Sequence, residues 1–532
     1  MKFTCPRSIL SWAALIWIIP AIPILAQDRP NILLITADDM NWDSVGIYGS
    51  PMENPTPHLD QLAREGMYFK YAHVNVAVCA PSRSIIMTGL YAHQSGAMGF
   101  AGMDSETRTL SALLKRNGYL VGIIDKVGHL KPRELFEWDY EKDAIDTGHG
   151  RSPSLFKMHT AEFLANAATE KKPFFLMANS RDPHRPFAGS YQEWQYLNEP
   201  KNSDEANFGQ PPEKIAAIET PSHVYETGEA PVPGFLADTP DLRDEVSDYY
   251  SSVRRCDDTV GAVLEAVEEA GQTDNTLVLF LSDNGMAFPF AKFSCYAHGT
   301  RTPMIVRWPG VIEPGGVDIK HLVSGIDITP TFLEAAGIRV PRVIEGRSFL
   351  ALLKGQSAKG FDRAFTAFYI SALEEEVPTR AVQEKQFGYI FNLWADGASQ
   401  AQAEFYKGLA LRSMIEAGMT DAEIARRVLY FMFRTREELY DFEADPNGLN
   451  NLVHHPSYQE TLVRLRREML DWMKDTEDPK TEDYEAYLRG EHKDFSGPRN
   501  PGELRRIREI YGRYQAGEFD YAAIITDVRI AA

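Results

Sequence analysis

A cysteine within a short, proline-containing motif is the side chain with the most distinctive chemistry in the sequence. The motif is Cys79-Ala80-Pro81-Ser82-Arg83, and an apolar run ending in Thr88-Gly89 follows it. Because proline suits the first turn of a helix, the motif predicts a helix with Cys79 just ahead of it. The free N–H groups and positive dipole end of that helix, with Arg83 one turn further on, would attract an anion and activate a nucleophile. For an isolated cysteine, a buried and unreactive thiol is the alternative.

Two pairs of polar residues follow apolar runs and offer oxygen ligands for a metal ion. Asp38 and Asp39 follow the C-terminal end of the run at 31–36, and Asp283 and Asn284 follow the run at 276–281. Carboxylate and amide oxygens suit Ca²⁺ or Mg²⁺ and not a thiophilic metal. Either pair alone would more often cap a helix. Together with the cysteine motif, the two pairs predict a divalent cation site.

Four basic side chains are further candidates for anion binding and proton transfer. Histidine titrates near neutral pH, so it can both accept and donate protons in a reaction. A single lysine is more often solvated, and a single histidine is more often a hydrogen-bonded core residue. The four candidates are Lys126, His129, His184 and Lys292.

The alternation of strands and helices predicts how these residues meet. Short apolar runs at 31–36, 119–124, 173–178, 276–281 and 304–307 predict buried strands, and amphipathic segments between them predict helices. This order is typical of an α/β fold: a doubly wound, mostly parallel sheet with helices on both faces. The carboxyl ends of its strands meet at one edge, where ligands bind. Candidate residues follow four of the strands, so the sequence predicts an enzyme.

The composition changes after Lys354 and predicts a smaller C-terminal α+β subdomain with an antiparallel sheet. Residues 364–370 and 387–393 are typical of strands, and Thr420-Asp421-Ala422-Glu423 predicts a capping box at the start of a helix. Residues 438–447 predict a closing turn. The predicted organisation is a signal peptide at 1–26, a catalytic domain at 27–355, a C-terminal subdomain at 356–480 and an extension at 481–532.

The first 26 residues have the pattern of a signal peptide. Lys2 and Arg7 make a basic start, the stretch from Ile9 to Leu25 is largely apolar, and Ala26 is a small residue at a suitable cleavage point. No later segment is long and apolar enough to predict a transmembrane anchor. We therefore expect a periplasmic or secreted protein.

The charge and cysteine content exclude other classes. The chain has 532 residues with 75 acidic and 55 basic side chains, a formal net charge of −20. We therefore expect no nucleic-acid partner, and an anionic substrate would need a local basic pocket. Beyond Cys5, the cysteines are Cys79, Cys256 and Cys295, an odd number without paired spacing. This does not predict a disulfide framework. A disulfide between Cys256 and Cys295 is the one pairing that we leave as an alternative.

The cysteine motif resembles the core motif of the sulfatase family, within the alkaline-phosphatase-like superfamily. In that family a formylglycine-generating enzyme converts the cysteine to formylglycine. Formylglycine is an aldehyde, and its hydrate is the nucleophile. The resemblance implies that Cys79 is modified in this way and that the substrate is a sulfated oligo- or polysaccharide. It also implies a metal ion, Ca²⁺ or else Mg²⁺. The implied metal ligands are Asp38, Asp39, Cys79, Asp283 and Asn284.

The resemblance further implies a role for each remaining candidate. Arg83 would orient the formylglycine hydrate, Lys126 and His129 would contact it, and His129 would take the proton that lets sulfate leave. His184 and Lys292 would bind the sulfate and protonate the leaving group. Arg185 is an expected substrate contact. His298 lies in a segment that departs from the family pattern, and it is either a substrate contact special to this protein or only a loop residue.

The pattern also departs from the family at two points. Lys126-Val127-Gly128-His129 has a K-x-x-H spacing, similar to the iduronate-sulfatase type, where many sulfatases have K-x-H. The segment 297–303 stands where the family often shows E-G-G-x-R-x-P. The stretches at 182–185 and 282–289 look most like the heparan N-sulfatase (sulfamidase) branch, although that branch has an arginine where this chain has Lys292.

Two alternatives to a sulfatase follow from the same residues. One is a phosphoester or phosphonate hydrolase of the same superfamily, and the other is an unmodified, non-catalytic protein that binds sulfated glycans. Within the sulfatase hypothesis, both a glucosamine N-sulfate and an O-sulfated sugar stay open. We rank the O-sulfate first, because the departures from the sulfamidase pattern fall inside the expected pocket.

Overall fold

The computed structural model describes residue 1 and residues 29–198, 217–371, 375–396, 399 and 408–491. The predicted signal peptide beyond Met1 lies outside the described residues, as does the predicted extension beyond residue 491. The first part of that extension forms the helix Thr481–Leu488.

A nine-stranded sheet forms the centre of the molecule, in the order β4-β3-β5-β1-β6-β8-β2-β7 with β9 paired to β2. The five strands from β4 to β6 in this order are parallel, whereas β8 is antiparallel to both β6 and β2. The strands are β1 Asn31–Ala37, β2 Met67–His73, β3 Leu120–Ile124, β4 Tyr140–Lys142, β5 Phe174–Asn179, β6 Thr276–Ser282, β7 Arg301–Thr302, β8 Met304–Arg307 and β9 Gly316–Ser324.

Helices cover both faces of this sheet, because its central strands are apolar on both sides. In β1, Leu33 and Ile35 belong to one hydrophobic cluster, and Ile32 and Leu34 belong to the other. The predicted doubly wound, mostly parallel architecture is therefore confirmed. The helices are Pro57–Glu65, Cys79–Thr88, Ala92–Ser95, Leu110–Arg116, Pro153–Glu170, Tyr191–Asn198, Pro240–Glu269, Ala297–Thr300, Ile328–Ala335, Leu350–Leu353, Leu409–Gly418, Ala422–Phe433, Gln459–Asp475 and Thr481–Leu488.

A second sheet confirms the predicted antiparallel unit after residue 355. Its strands pair in chain order, β10 to β13, and every pair is antiparallel. This sheet also contacts the segment after Lys292: the Tyr296 hydroxyl donates to Glu438 at 2.6 Å, and the Gln383 amide donates to the Cys295 carbonyl at 3.2 Å. The strands are β10 Ala364–Ile370, β11 Glu376–Gln383, β12 Phe387–Asn392 and β13 Glu437–Asp441.

Two local predictions in this unit were wrong. Residues 438–441 belong to strand β13 and not to a turn, because the side chains of Glu437 and Glu438 are buried and hydrogen-bonded instead of solvated. The helix Ala422–Phe433 is capped by Asp421 and not by Thr420. The Asp421 carboxylate accepts from the N–H groups of Glu423 and Ile424.

Three cysteines lie in the described ranges, and none of them forms a disulfide. Cys79, Cys256 and Cys295 are buried and free, so no Cys256–Cys295 bridge forms. None of the helices in the described ranges is long and apolar enough to cross a membrane.

Candidate active site

Four buried oxygen-bearing side chains meet where β1 and β6 end. Asp38 and Asp39 follow β1, Asp283 and Asn284 follow β6, and all four are fully buried. The parallel pairing of β1 with β6 brings the two loops together, and the Asp283 N–H donates to the Ala37 carbonyl at 3.2 Å. The chain thus places the two predicted pairs side by side at the carboxyl edge of the sheet.

Three cations pair one to one with the three carboxylates of this site. Arg83 contacts Asp283 at 2.7 Å, Lys292 contacts Asp39 at 2.9 Å, and Lys126 pairs with Asp38. A divalent cation added to this balanced set would leave the site with a net positive charge. An anionic sulfate group would then be attracted despite the acidic surface of the protein.

The orientation of these oxygens fits a hard divalent cation. Within the described residues, the buried Oδ1 atoms of Asn284 and Asp38 accept no hydrogen bond. The Asn284 amide donates to Asp39 at 2.7 Å, which fixes its carbonyl oxygen as a free ligand. Ligand atoms of Asp38, Asp39 and His184 also lie within 4.8 Å of one another. The residues therefore fit Ca²⁺ or Mg²⁺. The sequence did not predict that His184 would lie in this group of possible ligands.

Burial and nearby cations shift the pKa values of the three carboxyl groups in different directions. For Asp38, burial opposes ionisation, but Lys126 and the other cations outweigh it and hold the pKa well below its usual range. For Asp39, burial dominates over Lys292 and raises the pKa. Burial likewise raises the pKa of Asp283 to about 6 against the effect of Arg83.

Cys79 is the first residue of the helix Cys79–Thr88, with Val78 as the N-cap, and not a residue ahead of the helix as predicted. It is 4% exposed, and burial raises the pKa of its thiol to about 12, although Lys292 acts in the opposite direction. The thiolate is the nucleophilic and metal-binding form of cysteine. An unmodified Cys79 is therefore a poor nucleophile in this site.

This burial gives a testable chemical property. In metal-free protein made without a modifying enzyme, we expect Cys79 to react with iodoacetamide at pH 8 at least about tenfold more slowly than a free thiol. Unfolding in denaturant should restore the ordinary rate. Mass analysis of the peptide with Cys79 would measure both rates, and rapid alkylation of the native protein would contradict the buried, protonated thiol.

Arg83 is held beneath the site by the ends of two strands. Its guanidinium donates to Thr36 at 2.7 Å and to Asn179 at 2.6 Å, besides its ion pair with Asp283. The Asn179 amide in turn donates to the main-chain carbonyl of Asp125 at 3.0 Å. Thr36 and Asn179 are positioning residues that the sequence reasoning did not identify, although both are the polar ends of apolar strands.

Lys126 and His129 lie on one tight turn directly after β3. Lys126 has a left-handed backbone conformation, and its N–H donates to the Asp125 carboxylate at 2.6 Å. The His129 N–H donates to the Lys126 carbonyl at 3.1 Å, so the K-x-x-H spacing brings both side chains to the same place. Burial, and then Lys126, lowers the pKa of His129 well below its usual value, and its Nδ1 has no hydrogen-bond partner among the described residues. A neutral His129 can accept a proton.

His184 lies at the opening of the site with a fixed tautomer. A carbonyl oxygen can only accept, so the 2.7 Å contact with the Arg185 carbonyl makes Nδ1 a donor. Its Nε2 then faces Asp39 at 3.8 Å, and its side chain is 25% exposed. Asp182 holds this loop by accepting from Arg255 at 2.6 and 3.0 Å.

The structure places the two expected substrate contacts among other protein groups. The Arg185 guanidinium pairs with Glu245 at 2.9 Å and lies over the Phe187 ring. His298 is 7% exposed and stacks on Phe235 at 4.1 Å between ring centroids. Both side chains thus have protein partners, and their contact with a substrate stays a prediction.

Comparisons with known proteins agree with this geometry. The family model described as Sulfatase matches residues 30–338, and the model described as N-sulphoglucosamine sulphohydrolase, C-terminal, matches residues 287–399. The chain is 30% identical to N-sulphoglucosamine sulphohydrolase of Homo sapiens over 481 residues, 86% of this chain and 92% of that protein. The chain belongs to the sulfatase family. Its activity class is that of a sulfuric ester hydrolase.

Other relatives and solved structures extend the similarity. An ulvan-active sulfatase of Formosa agariphila is 28% identical, with 84% of this chain and 80% of that protein covered. A protein solved in complex with its substrate D-glucosamine-2-N,6-O-disulfate aligns with a TM-score of 0.60 at 20% identity, covering 85% of this chain and 99% of that one. A phosphonate monoester hydrolase of Agrobacterium radiobacter aligns with a TM-score of 0.60 at 17% identity, covering 84% and 96%. At these identities the two structures show a shared fold.

Proposed function

We propose that the chain is an exported, metal-dependent sulfatase that removes sulfate from a sulfated carbohydrate by means of a formylglycine made from Cys79. The observation that carries this proposal is the position of Cys79 at a helix start, among Lys126, Lys292 and Asp38, which all act on it electrostatically. An oxygen-bearing nucleophile at this position would face both the acidic metal ligands and the cations that bind sulfate. The sulfated carbohydrates named for its relatives support the substrate class.

The metal ion and the modification would supply what the unmodified chain lacks. Asp38, Asp39, Asp283 and Asn284 would hold Ca²⁺ or Mg²⁺, which neutralises negative charge when bound. The modification would replace a thiol that does not ionise in this site with an oxygen nucleophile. Maturation therefore needs a formylglycine-generating enzyme in the same host. Residues 1–26 support export by way of a signal peptide.

The chain's own side chains would then bind the substrate and move protons. Arg83 and Lys126 would orient the nucleophile, and the buried Lys292 would bind a sulfate oxygen. His129 is neutral and suited to accept a proton, as a general base requires. In its doubly protonated form, His184 would donate the Nε2 proton to the leaving group, and its side chain is partly exposed at the opening of the site. In this proposal Arg185 and His298 shape the pocket that receives the sugar.

A comparison of sulfate release with phosphate release distinguishes this function from the alternative of a phosphoester or phosphonate hydrolase. We expect the purified protein to release sulfate from aryl sulfates and sulfated oligosaccharides with a kcat/KM at least about 100-fold above that for the matched phosphate and phosphonate esters. The expected preference is that of a sulfuric ester hydrolase, the activity class to which the chain belongs. Faster release of phosphate would contradict the proposal.

The type of sulfate is tested by a paired assay. We propose an O-sulfate as the substrate, because Lys292 supplies a compact charge where the sulfamidase branch has a planar arginine fork. N-sulfated and O-sulfated oligosaccharides of matched length should be offered side by side, with released sulfate measured. Exclusive cleavage of the N-sulfate would reverse this ranking while leaving the sulfatase function intact.

A further inference from the structure

We propose that Arg181 forms a second anion-binding position at the opening of the active site, which binds a carboxylate or a second sulfate of the substrate. This inference rests on the sulfatase function proposed above and narrows its substrate class. The substrate would be a saccharide with an anionic group in addition to the sulfate that is removed.

Arg181 belongs to the rim of the site and not to its floor. The side chains of Arg83, Lys292 and Asp39 are at most 1% exposed, whereas those of His184 and Arg181 are 25% and 19% exposed. The His184 N–H donates to the Arg181 carbonyl at 2.9 Å, so the two residues share one turn. A substrate that brings its leaving group to His184 therefore passes close to Arg181.

The Arg181 side chain is fixed before any ligand arrives. Its Nε donates to the buried Asp125 carboxylate at 2.7 Å. Its aliphatic stem packs against Gly150, which has a φ of +70° and where a Cβ would lie only 2.4 Å from the Arg181 Cγ. An arginine held in this way has little side-chain entropy left to lose on binding.

The terminal nitrogens of Arg181 are available to a ligand. Among the described residues, only Asp125 accepts a hydrogen bond from this guanidinium, and it uses Nε alone. The remaining fork of N–H groups matches two oxygens of a carboxylate or a sulfate.

Asp125 links this position to the catalytic lysine. Its Oδ1 accepts both from Arg181 Nε and from the Lys126 N–H at 2.6 Å. Loss of Arg181 could therefore act in two ways, by removing an anion-binding group or by shifting Lys126. The first way affects only substrates that carry the second anion, whereas the second affects every sulfated substrate.

The test compares substrates that are matched in the sulfate removed but differ in the second anion. The variants are Arg181→Gln, Arg181→Lys and, as a control, Arg243→Gln, which changes an exposed arginine paired with Asp238. The substrates are an aryl sulfate, a monosulfated neutral disaccharide, the same disaccharide with a uronate, and a disulfated form. A comparison of the uronate substrate with the disulfated substrate shows whether Arg181 binds a carboxylate or a sulfate.

For Arg181→Gln we expect kcat/KM to fall about 10- to 100-fold on substrates with the second anion and less than about threefold on the aryl sulfate. Arg181→Lys should lose less kcat/KM on these substrates than Arg181→Gln, because lysine keeps the positive charge without the planar fork of N–H groups. An equal loss on all substrates would overturn the inference and make Arg181 a positioning residue. A wild-type enzyme without preference for the second anion would also overturn it, with the sulfatase function intact. Absence of sulfate release from every substrate would instead contradict the proposed function, and the inference with it.

Discussion

Replacing Cys79 with alanine is expected to abolish sulfate release while the protein still folds. Cys79 is buried at the start of its helix, and the change removes only a sulfur atom, so unfolding should become easier by about 1 kcal/mol. Sulfate release should fall by roughly four orders of magnitude or more, as it does when other hydrolases lose their covalent nucleophile. Sulfate release and thermal unfolding, measured on the same preparation, would check both parts.

Cys256→Ala is the matched control for this variant. Cys256 is likewise a buried, free cysteine, and it lies within the helix Pro240–Glu269 instead of the site. It should show a similar change in stability with most of the activity retained. Mass analysis of the Cys79 peptide should also find an aldehyde in place of the thiol in active protein. An intact thiol at Cys79 in fully active protein would refute the mechanism. Protein with an intact thiol that binds sulfated glycans but releases no sulfate would favour the non-catalytic alternative.

Loss of the metal ligands is expected to have the second largest effect. Asp38→Asn and Asp283→Asn keep the shape of each side chain but remove a charge next to the site of reaction. Each should lower kcat/KM by about two to three orders of magnitude and should leave less than one metal ion bound per chain. Chelation of the wild type should reproduce the loss, and added Ca²⁺ or Mg²⁺ should reverse it.

Asp238→Asn is the control for the metal variants. Asp238 is an exposed aspartate that pairs with Arg243, so its loss should change neither metal content nor activity by more than about twofold. Metal content, measured by mass spectrometry, distinguishes two causes of lost activity. A lower metal content indicates loss of the ion, whereas an unchanged metal content indicates disturbance of the ion pairs of Lys126 and Arg83. Full activity in metal-stripped wild-type protein would show that the reaction does not need the ion.

The central sheet and most of the candidate site were predictable, because an apolar run followed by polar residues marks the end of a buried strand. The apolar run of β1 followed by Asp38 and Asp39, and that of β6 followed by Asp283 and Asn284, place all four side chains at one edge. Parallel strands expose their carboxyl ends together, so sequence order alone brings these residues near each other. The candidate metal ligands thus follow from local patterns.

The supporting residues were not predictable, because their roles depend on contacts between distant segments. Asn179 and Asp125 look like ordinary polar residues at strand ends, yet they orient Arg83 and Lys126. Strand β13 escaped prediction for a related reason. Its charged residues suggest a solvated turn, whereas tyrosine and asparagine partners from the neighbouring strand β12 make their burial favourable.

The hydrogen bond between Tyr296 and Glu438 joins the smaller sheet to the segment that carries Lys292. Lys292 lies four residues before Tyr296, and the smaller sheet holds that segment through Glu438 and Gln383. A chimera that takes its last third from a relative would therefore replace the anchor of the segment that carries Lys292, which we propose to bind sulfate. Under this proposal, we expect specificity to change more readily through point changes at the rim than through the exchange of whole units, and we expect substitutions that disturb β13 to lower the rate of catalysis.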